Sequence, residues 1–517
     1  MLSFLLKVMK VMNFGSDFLS WIAMLHDGAK TRFILGFLTN SIDVTFSIRQ
    51  GDPLAMLLYI IYVEPLLLLL ERELSGLQLP HVTEVLESYC DDLNIMTDDI
   101  EDFEKVENIV HDFEKVSGAI LSRNRKCKVL GIGKWAEREE WPLAWLSTVK
   151  SVKVFGIFIS NSYNDIIQSN WNFRLEKFNN TIMSWSSRML EGLHQRIEVL
   201  KVFALSRIYY VASILPIRKS TLRKLEAIMG RFIWQGRILR VPLDQLKNDY
   251  LEGGLRLPCV ETMGKALLTS QCLRLLRSLD QKSIQHVDYW MGPILQNCVP
   301  GMGQSTVARE VPEYYSILGE NFASILISDL LNFGSFSTLN NRMIYHDLKQ
   351  FPKPKIAENS LADYSLVWKR LQNNLLSSVD LECLFLLINN KLPVQERLHR
   401  ISVTNTPHCL FCPGLVISDV THYFCSCLKT ERIWSWIRTL ITKNVIIGNT
   451  SDWELLNLQF PRDAKEGIIT WIIGTYVGYA WQIRNDGKEI CFEKFFGFLT
   501  LKYKECKSLL GPIQGLD

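Results

Sequence analysis

The stretch ESYCDDLNIM, residues 87–96, sets two adjacent carboxylates, Asp91 and Asp92, between two short β-prone runs. HVTEVLESY (81–89) and LNIMT (93–97) read as strands flanking a tight turn at Cys90-Asp91-Asp92. Asp is a common turn residue, because its short side chain bonds nearby backbone amides. An isolated Asp-Asp pair in a loop is more often a turn than a metal site. The pair gains chemical meaning only if its neighbours supply the rest of a site.

Those neighbours are informative. Residues 1–25 read as two helices broken at Asn13-Phe14-Gly15-Ser16, with Ser16 or Asp17 as the second cap. TRFILGF (31–37) and DVTFSI (43–48) alternate like a hairpin. PLAMLLYIIYVEPLLLLL (53–70) follows, with Pro53 near its start. Glu64 and Pro65 divide it into pieces short of the ~20 residues a membrane span needs, so it reads as a buried helix. After the hairpin come a helix over about 99–119 and two strands, KCKVLGIG and VKVFGIFIS. From there the pattern turns helical. Trp171, Leu175, Phe178, Ile182, Trp185 and Met189 form one apolar stripe, which reads as core packing. Helical signals continue over 191–214 and 220–234, up to a Gly-rich break, EGGLRLP, at 252–258.

The chain has 517 residues, too many for one ordinary core, so several domains are expected. Hydrophobic residues make up 48% and charged residues 21%, which excludes a disordered chain. A net charge of +3 means that any nucleic-acid surface must be a local patch. The 12 cysteines show no disulfide framework, and four fall between Cys409 and Cys427. That usage fits a reducing compartment, hence an intracellular protein of nucleus or cytoplasm, with a metal rather than disulfides. No leader or membrane span is expected, and oligomeric state is not legible.

The order of signals carries a resemblance. SIRQGDPLAMLLYIIYVEPL is followed by YCDD, then FEKVSGAILSRNRKCKVLGIG, then VKVFGI. This resembles the reverse transcriptase of non-long-terminal-repeat (LINE-type) retrotransposons. The resemblance continues through RFIWQG and GGLRLP to CLFC and HYFCSC, similar to the zinc-binding region downstream of such polymerases. It covers nearly the whole chain and is weakest over 261–365.

The resemblance implies an α+β fold. A partial reverse transcriptase palm, an antiparallel sheet with helices, would occupy 1–160. A helical thumb and connection would follow over 161–260, a helical linker region over 261–365, a zinc-binding region over 366–440 and a C-terminal helical segment over 441–517. The implied activity is RNA-directed DNA polymerisation on an RNA template with a DNA primer or target. Asp91 and Asp92 match the paired aspartates that help hold two Mg²⁺ ions. Mg²⁺ prefers hard oxygen ligands, and two ions ~3.5–4 Å apart clamp the attacking and leaving oxygens. Tyr89 would pack beneath the turn. Arg49, Gln50 and Gly51 match the box against template and incoming nucleotide. Arg123, Lys126 and Lys128 match a phosphate-contacting segment, and Phe155-Gly156-Ile157 the turn gripping the primer end.

The family's first catalytic aspartate lies on a strand before the helix that resembles FLLKVMKVMNFG, and Met1 to Ser3 leave no room for it. The expectation is therefore a catalytically incomplete polymerase fragment. The alternative is a nucleic-acid-binding remnant of a mobile element without catalysis.

Two downstream clusters stand on their own chemistry. Between Pro216 and Arg240 lie Arg218, Lys219, Arg223, Lys224, Arg231, Arg237 and Arg240 against one acid, Glu226, with Phe232 and Trp234 interleaved. Basic groups with aromatics suit phosphate contact and base stacking. A helix with a solvated basic face is the plain alternative. Cys409, Cys412, His422 and Cys427 have the spacing C-x2-C-x9-H-x4-C, suited to a structural Zn²⁺, with Cys425 as a competing ligand. Tyr423 and Phe424 are expected to form a small apolar cap there.

Overall fold

Four helices and a hairpin make the first core. Helices α1 (Leu2–Val11), α3 (Ala55–Glu73) and α4 (Asp102–Ser117) each turn one apolar stripe inward, while α2 (Ser16–His26) adds Ile22. On α3 the stripe is Leu58, Tyr62, Leu66 and Leu70, one residue per turn. Phe4 meets Tyr62 and Phe113 edge-on, at 5.5 and 5.6 Å between ring centroids. The Tyr62 hydroxyl donates to the Ser117 carbonyl. The computed structural model describes residues 2–28, 30–34, 38–43, 52–90, 92–123, 127–188, 190–235, 241–277, 281–296, 302–303, 307–326, 340–349, 364–372, 374–462 and 465–516.

Three expectations for this region change. The helix α3 runs unbroken through Pro65, whose missing N–H forfeits only one intrahelical bond. It is also buried on one face only, since Met56, Leu57, Ile60, Leu68 and Leu69 are exposed. Among the described residues, no helix is long and apolar enough to cross a membrane. Gly15, not Ser16 or Asp17, is the N-cap of α2, and no side chain caps it.

Strands come in pairs. β1 (Lys30–Thr31) pairs antiparallel with β2 (Ile42–Asp43), and the rest of the expected DVTFSI strand lies outside the described residues. β3 (Leu77–Leu79) pairs with β4 (Val82–Glu84), and β5 (Leu86–Tyr89) with β6 (Asp92–Ile95). β7 (Lys128–Val129) runs parallel to β8 (Ser147–Thr148). The run VKVFGIFIS is not one strand but a hairpin, β9 (Ser151–Val154) and β10 (Ile157–Ser160). Its two turn residues, Phe155 (φ 45) and Gly156 (φ 84), are both left-handed. That is the turn whose twist matches two paired strands. The fold is thus mixed, helices with small sheets. The continuous antiparallel palm sheet is replaced, among the described residues, by separate two-stranded ladders.

The chain forms two compact units, and neither is a continuous segment. The first combines Met1–Asn172 with Gln271–Ser337, the second Phe173–Ser270 with Thr338–Asp517. In the first, helices Gln281–Leu295 and Glu313–Leu326 return to the β3–β4 hairpin. The imidazole of His286 links the Pro80 carbonyl (3.0 Å) to the Tyr315 hydroxyl (3.2 Å). Trp290 stacks on Tyr315.

The second unit is helical. Helix α5 (Tyr163–Ser186), which belongs to the first unit up to Asn172 and to the second from Phe173, buries Trp171, Phe178 and Ile182 of the expected stripe, while Met189 lies outside the described residues. Helices α6 (Gly192–Val199), α7 (Ser206–Ala212) and α8 (Lys219–Ile233) follow. The centre is the helix Glu466–Asn485, buried continuously from Ile468 to Trp481. An all-round apolar helix needs neighbours on every side. It packs on the helix Ser378–Ile388, where Gly474 and Gly478 permit close approach. A Cβ on Gly478 would lie 1.9 Å from Asp380 Oδ1. Arg370, buried beside this helix, bonds Glu466 and the Leu458 and Pro461 carbonyls and lies 3.8 Å from the Phe460 ring centroid.

Candidate metal centre and nucleic-acid interface

The segment from Pro407 to Glu431 is folded by its own backbone around four side chains. His408 and Ile417 form an antiparallel bridge. The Cys409 amide donates to Val416 (2.8 Å) and the Ser418 amide to Pro407 (2.9 Å). This short ladder aims Cys409 and Cys412 to one side. The other half is a π-helical turn, His422–Ser426, closed by the Cys427 amide on the His422 carbonyl at 2.8 Å. An i→i+5 turn brings residues five apart together, and such turns recur at functional sites. It explains why H-x4-C places His422 and Cys427 side by side.

The ligand atoms of Cys409, Cys412, His422 and Cys427 all lie within 4.8 Å of one another. Cys427 Sγ is 3.7 Å from Cys409 Sγ and 3.8 Å from Cys412 Sγ, and Cys412 Sγ is 3.5 Å from His422 Nε2. Zinc–sulfur bonds of about 2.3 Å and zinc–nitrogen bonds of about 2.0–2.1 Å give tetrahedral edges of about 3.8 Å (S–S) and about 3.6 Å (S–N). These three edges match, and the remaining ones lie within 4.8 Å, so the cluster could hold a zinc ion. His422 Nδ1 faces Ser426 Oγ at 3.4 Å, which leaves Nε2 to the site.

Electrostatics favour a thiolate at Cys409. Burial opposes ionisation of Cys409, but hydrogen bonds from the Phe411 amide, His422 and the Cys412 amide outweigh it and bring the thiol down to about 7. Burial pushes Cys427 up to about 12, so Cys409 gives up its proton first. Cys425 stands apart from the four, buried and with its thiol pushed far up by burial. Tyr423 and Phe424 do not cap the cluster. They are buried in the helical core, where the Tyr423 hydroxyl donates to the Ala480 carbonyl and Tyr476 donates to the Phe424 carbonyl.

The aspartate hairpin is present. Tyr89 pairs with Asp92 across the turn, and Cys90 takes a left-handed φ of 56, an uncommon conformation for a side chain with a Cβ. Asp92 opens β6 and is exposed. Asp91 lies outside the described residues, as do Arg49, Gln50, Gly51 and Lys126. Tyr89 does not pack beneath the turn. It is 69% exposed and meets the Phe155 ring edge-on at 6.1 Å between ring centroids. The structure therefore brings the Tyr89–Asp92 tip and the Phe155-Gly156 turn together.

A residue that sequence reading missed anchors this hairpin. Asp102, fully buried, accepts from the Ser75 amide (3.0 Å), the Gly76 amide (3.4 Å), Thr97 Oγ1 (2.6 Å) and Lys105 Nζ (3.0 Å). It ties the chain after α3 to the chain after β6. Gly76, at φ +69, has no room for a Cβ, which would lie 2.8 Å from Val85. Sequence alone offers only an Asp near the start of a helix, an ordinary first-turn residue.

The basic residues divide. Arg123 is held by carboxylates, with Glu114 at 2.8 Å and Glu107 at 3.4 Å, so a phosphate would have to displace them. Lys128 is exposed on β7. Arg218 caps α8, and Lys219, Arg223, Lys224 and Arg231 are exposed along that helix. Lys219 and Arg223, four residues apart, stand one turn apart on one face, while Arg231 is turned about 120° from Lys219. Phe232 and Trp234 are buried, so they are not stacking platforms for bases. Arg237 and Arg240 lie outside the described residues.

No family model matches the chain. It is similar to a transposon protein. The Transposon TX1 uncharacterized 149 kDa protein of Xenopus laevis is 23% identical over 291 residues, covering 53% of this chain. The chain spans 21% of the length of that curated relative.

Proposed function

We propose that the chain is a retrotransposon-derived segment of an RNA-directed DNA polymerase of the LINE type. The observation that carries this is the Tyr89–Asp92 hairpin facing the Phe155-Gly156 turn, two motifs far apart in sequence. The transposon relative supports the origin. In this reading Asp91 and Asp92 contribute to Mg²⁺ binding, and Arg49, Gln50 and Gly51 lie by the template. Thiolates of Cys409, Cys412 and Cys427 with His422 hold a structural Zn²⁺, closed to substrate because four protein ligands complete it. The exposed face of α8 carries RNA or DNA phosphates.

The test of the hairpin is metal-directed cleavage. Fe²⁺ substituted for Mg²⁺, with peroxide and ascorbate, should cut the backbone near residues 89–92, and Asp91→Ala with Asp92→Ala should remove those cuts. Uncut backbone there, with cuts elsewhere, would sink the metal assignment.

A second reading is favoured by the basic face of α8, namely nucleic-acid binding without catalysis. Changing Lys219, Arg223 and Lys224 to Gln should weaken single-stranded RNA binding for every sequence tried. The slope of log K against log salt should shrink by about 2 to 3, near 0.7–0.9 per phosphate contact. An unchanged slope assigns the phosphates elsewhere.

A further inference from the structure

The segment that carries the four ligands also presents an open strand edge. In the His408–Ile417 bridge the flanking residues bond to each other, the Cys409 amide to Val416 and the Ser418 amide to Pro407. An antiparallel pair of that kind turns the N–H and C=O of its two central residues away from the ladder. Neither backbone group of Ile417 has a hydrogen-bond partner among the described residues, and the residue is 53% exposed. His408, on the opposite edge, is half-buried. Gly414, left-handed at φ +85, turns the chain into the Ile417 edge, and the Glu396 amide on the Ser418 carbonyl (3.1 Å) ends it. Tyr423 and Phe424 root the other half of the segment in the helical core, so the edge stands on a fixed base.

The side chains along this edge are apolar. Leu415 is 82% exposed and Val416 40%, and Leu410 and Phe411, in the loop that joins the two arms, are exposed as well. Soluble proteins blunt such an edge with Lys, Pro or an inward-pointing charge. Residues 415–417 carry none of these. Between Ile401 and Leu428 there is no Lys or Arg, and Asp419 is the one acid. A nucleic acid finds no counter-charge for its phosphates there, which separates this surface from the cationic face of α8. A second copy of the same surface meets no like charge at its centre.

We propose that residues 415–417 pair antiparallel with the same stretch of a second copy, making a two-fold symmetric dimer. Symmetry fixes the register. With the axis at Ile417, each Ile417 amide donates to the other copy's Ile417 carbonyl, and the open groups of both copies are satisfied. Leu415 then lies opposite the second copy's Asp419. The two Asp419 residues stand four positions apart, about 14 Å along the strands, beyond the screening length of about 8–10 Å at moderate salt. Leu415 and Ile417 share one face of the pair and Val416 takes the other. The proposal goes beyond the polymerase reading, since the pairing requires neither catalysis nor nucleic acid.

The experiment is sedimentation equilibrium on the full chain, purified with zinc, together with hydrogen exchange. The mass should rise from 59.7 kDa towards twice that value through the micromolar range, and the Ile417 amide should exchange more slowly as the dimer forms. Ile417→Pro removes an outward donor only, because both ladder bonds belong to its neighbours. It should weaken the dimer about tenfold or more, the loss of two hydrogen bonds. Leu415→Asp, at a solvated position, sets like charges opposite each other at both ends and should dissociate it. Leu415→Lys meets the same Asp419 with the opposite charge and should keep the dimer. Circular dichroism and a melting curve check that each variant is folded. A folded chain that stays monomeric overturns the proposal. So does a dimer unmoved by Ile417→Pro and Leu415→Asp, or one that Leu415→Lys weakens as much as Leu415→Asp. Protection of the Ile417 amide in a monomer, on adding single-stranded RNA or an apolar peptide, overturns it too and gives the edge to that occupant.

Discussion

Changing Cys427 to serine should take the 517-residue chain from one zinc ion per molecule to none measurable. Cys427 lies within 3.8 Å of two other sulfurs, so its loss removes a vertex at which two sulfur–sulfur edges of the tetrahedron meet the edge to His422. Cys409→Ser, Cys412→Ser and His422→Ala should do the same, and Cys425→Ser should keep the ion. In isolated fingers the metal supplies roughly 10–16 kcal/mol of apparent binding, and folding depends on it. Here Tyr423 and Phe424 are already fixed in the helical core, so removal should loosen the segment without unfolding the unit. Zinc at a thousandfold above its dissociation constant stabilises by about 4 kcal/mol, and a chelator should cost about that much. Metal analysis with a melting curve decides it. Full zinc in Cys427→Ser would mean that another group completes the site.

Removing the carboxylate of Asp102 should release the aspartate hairpin. Asp102→Ala strands the buried amides of Ser75 and Gly76, at roughly 1–3 kcal/mol for each unsatisfied group. We expect a loss of about 3 kcal/mol in that region, and faster hydrogen exchange at residues 75–97 with little change in the second unit. Burial raises the Asp102 pKa, but the hydrogen bonds from Thr97, Lys105 and Ser75 outweigh it and leave the pKa below the usual carboxylate value. A depressed folded pKa means that its stabilisation is present above the usual value and is lost as pH falls through the folded one. The gap between wild type and Asp102→Asn should therefore close in strong acid. Equal exchange rates in wild type and Asp102→Ala at pH 7 would remove Asp102 from this role.

What the sequence disclosed was mostly local. The zinc-type ligands were legible because ligand spacing over nineteen residues, Cys409 to Cys427, is set by short-range backbone geometry. The β5–β6 hairpin was legible because a polar turn separates two alternating runs. The alternation pattern hid the β9–β10 hairpin, since Phe155 at the left-handed turn position is not a turn former and the run looks like one strand, and only the family resemblance implied a turn at Phe155-Gly156-Ile157. The apolar Tyr423-Phe424 pair was misassigned because its partners, Tyr476 and Ala480, lie some fifty residues on. The inward turn of Phe232 and Trp234 likewise depends on tertiary neighbours. The residues that anchor the hairpin, Ser75, Thr97 and Asp102, are individually ordinary, and only their meeting gives them meaning.

The interleaving of the two units has a consequence for synthesis. A ribosome delivers about 5–20 residues per second, and all of Phe173–Ser270 emerges before the segment that completes the first unit. Until Gln281–Leu295 and Glu313–Leu326 leave the exit tunnel, the β3–β4 hairpin has no His286 at Pro80 and no Tyr289 beside His81. The nascent chain must carry that unfinished edge while the second unit begins to gather its helices. A transcript ending anywhere between Phe173 and Gln281 would leave the edge permanently bare, a natural handle for a chaperone.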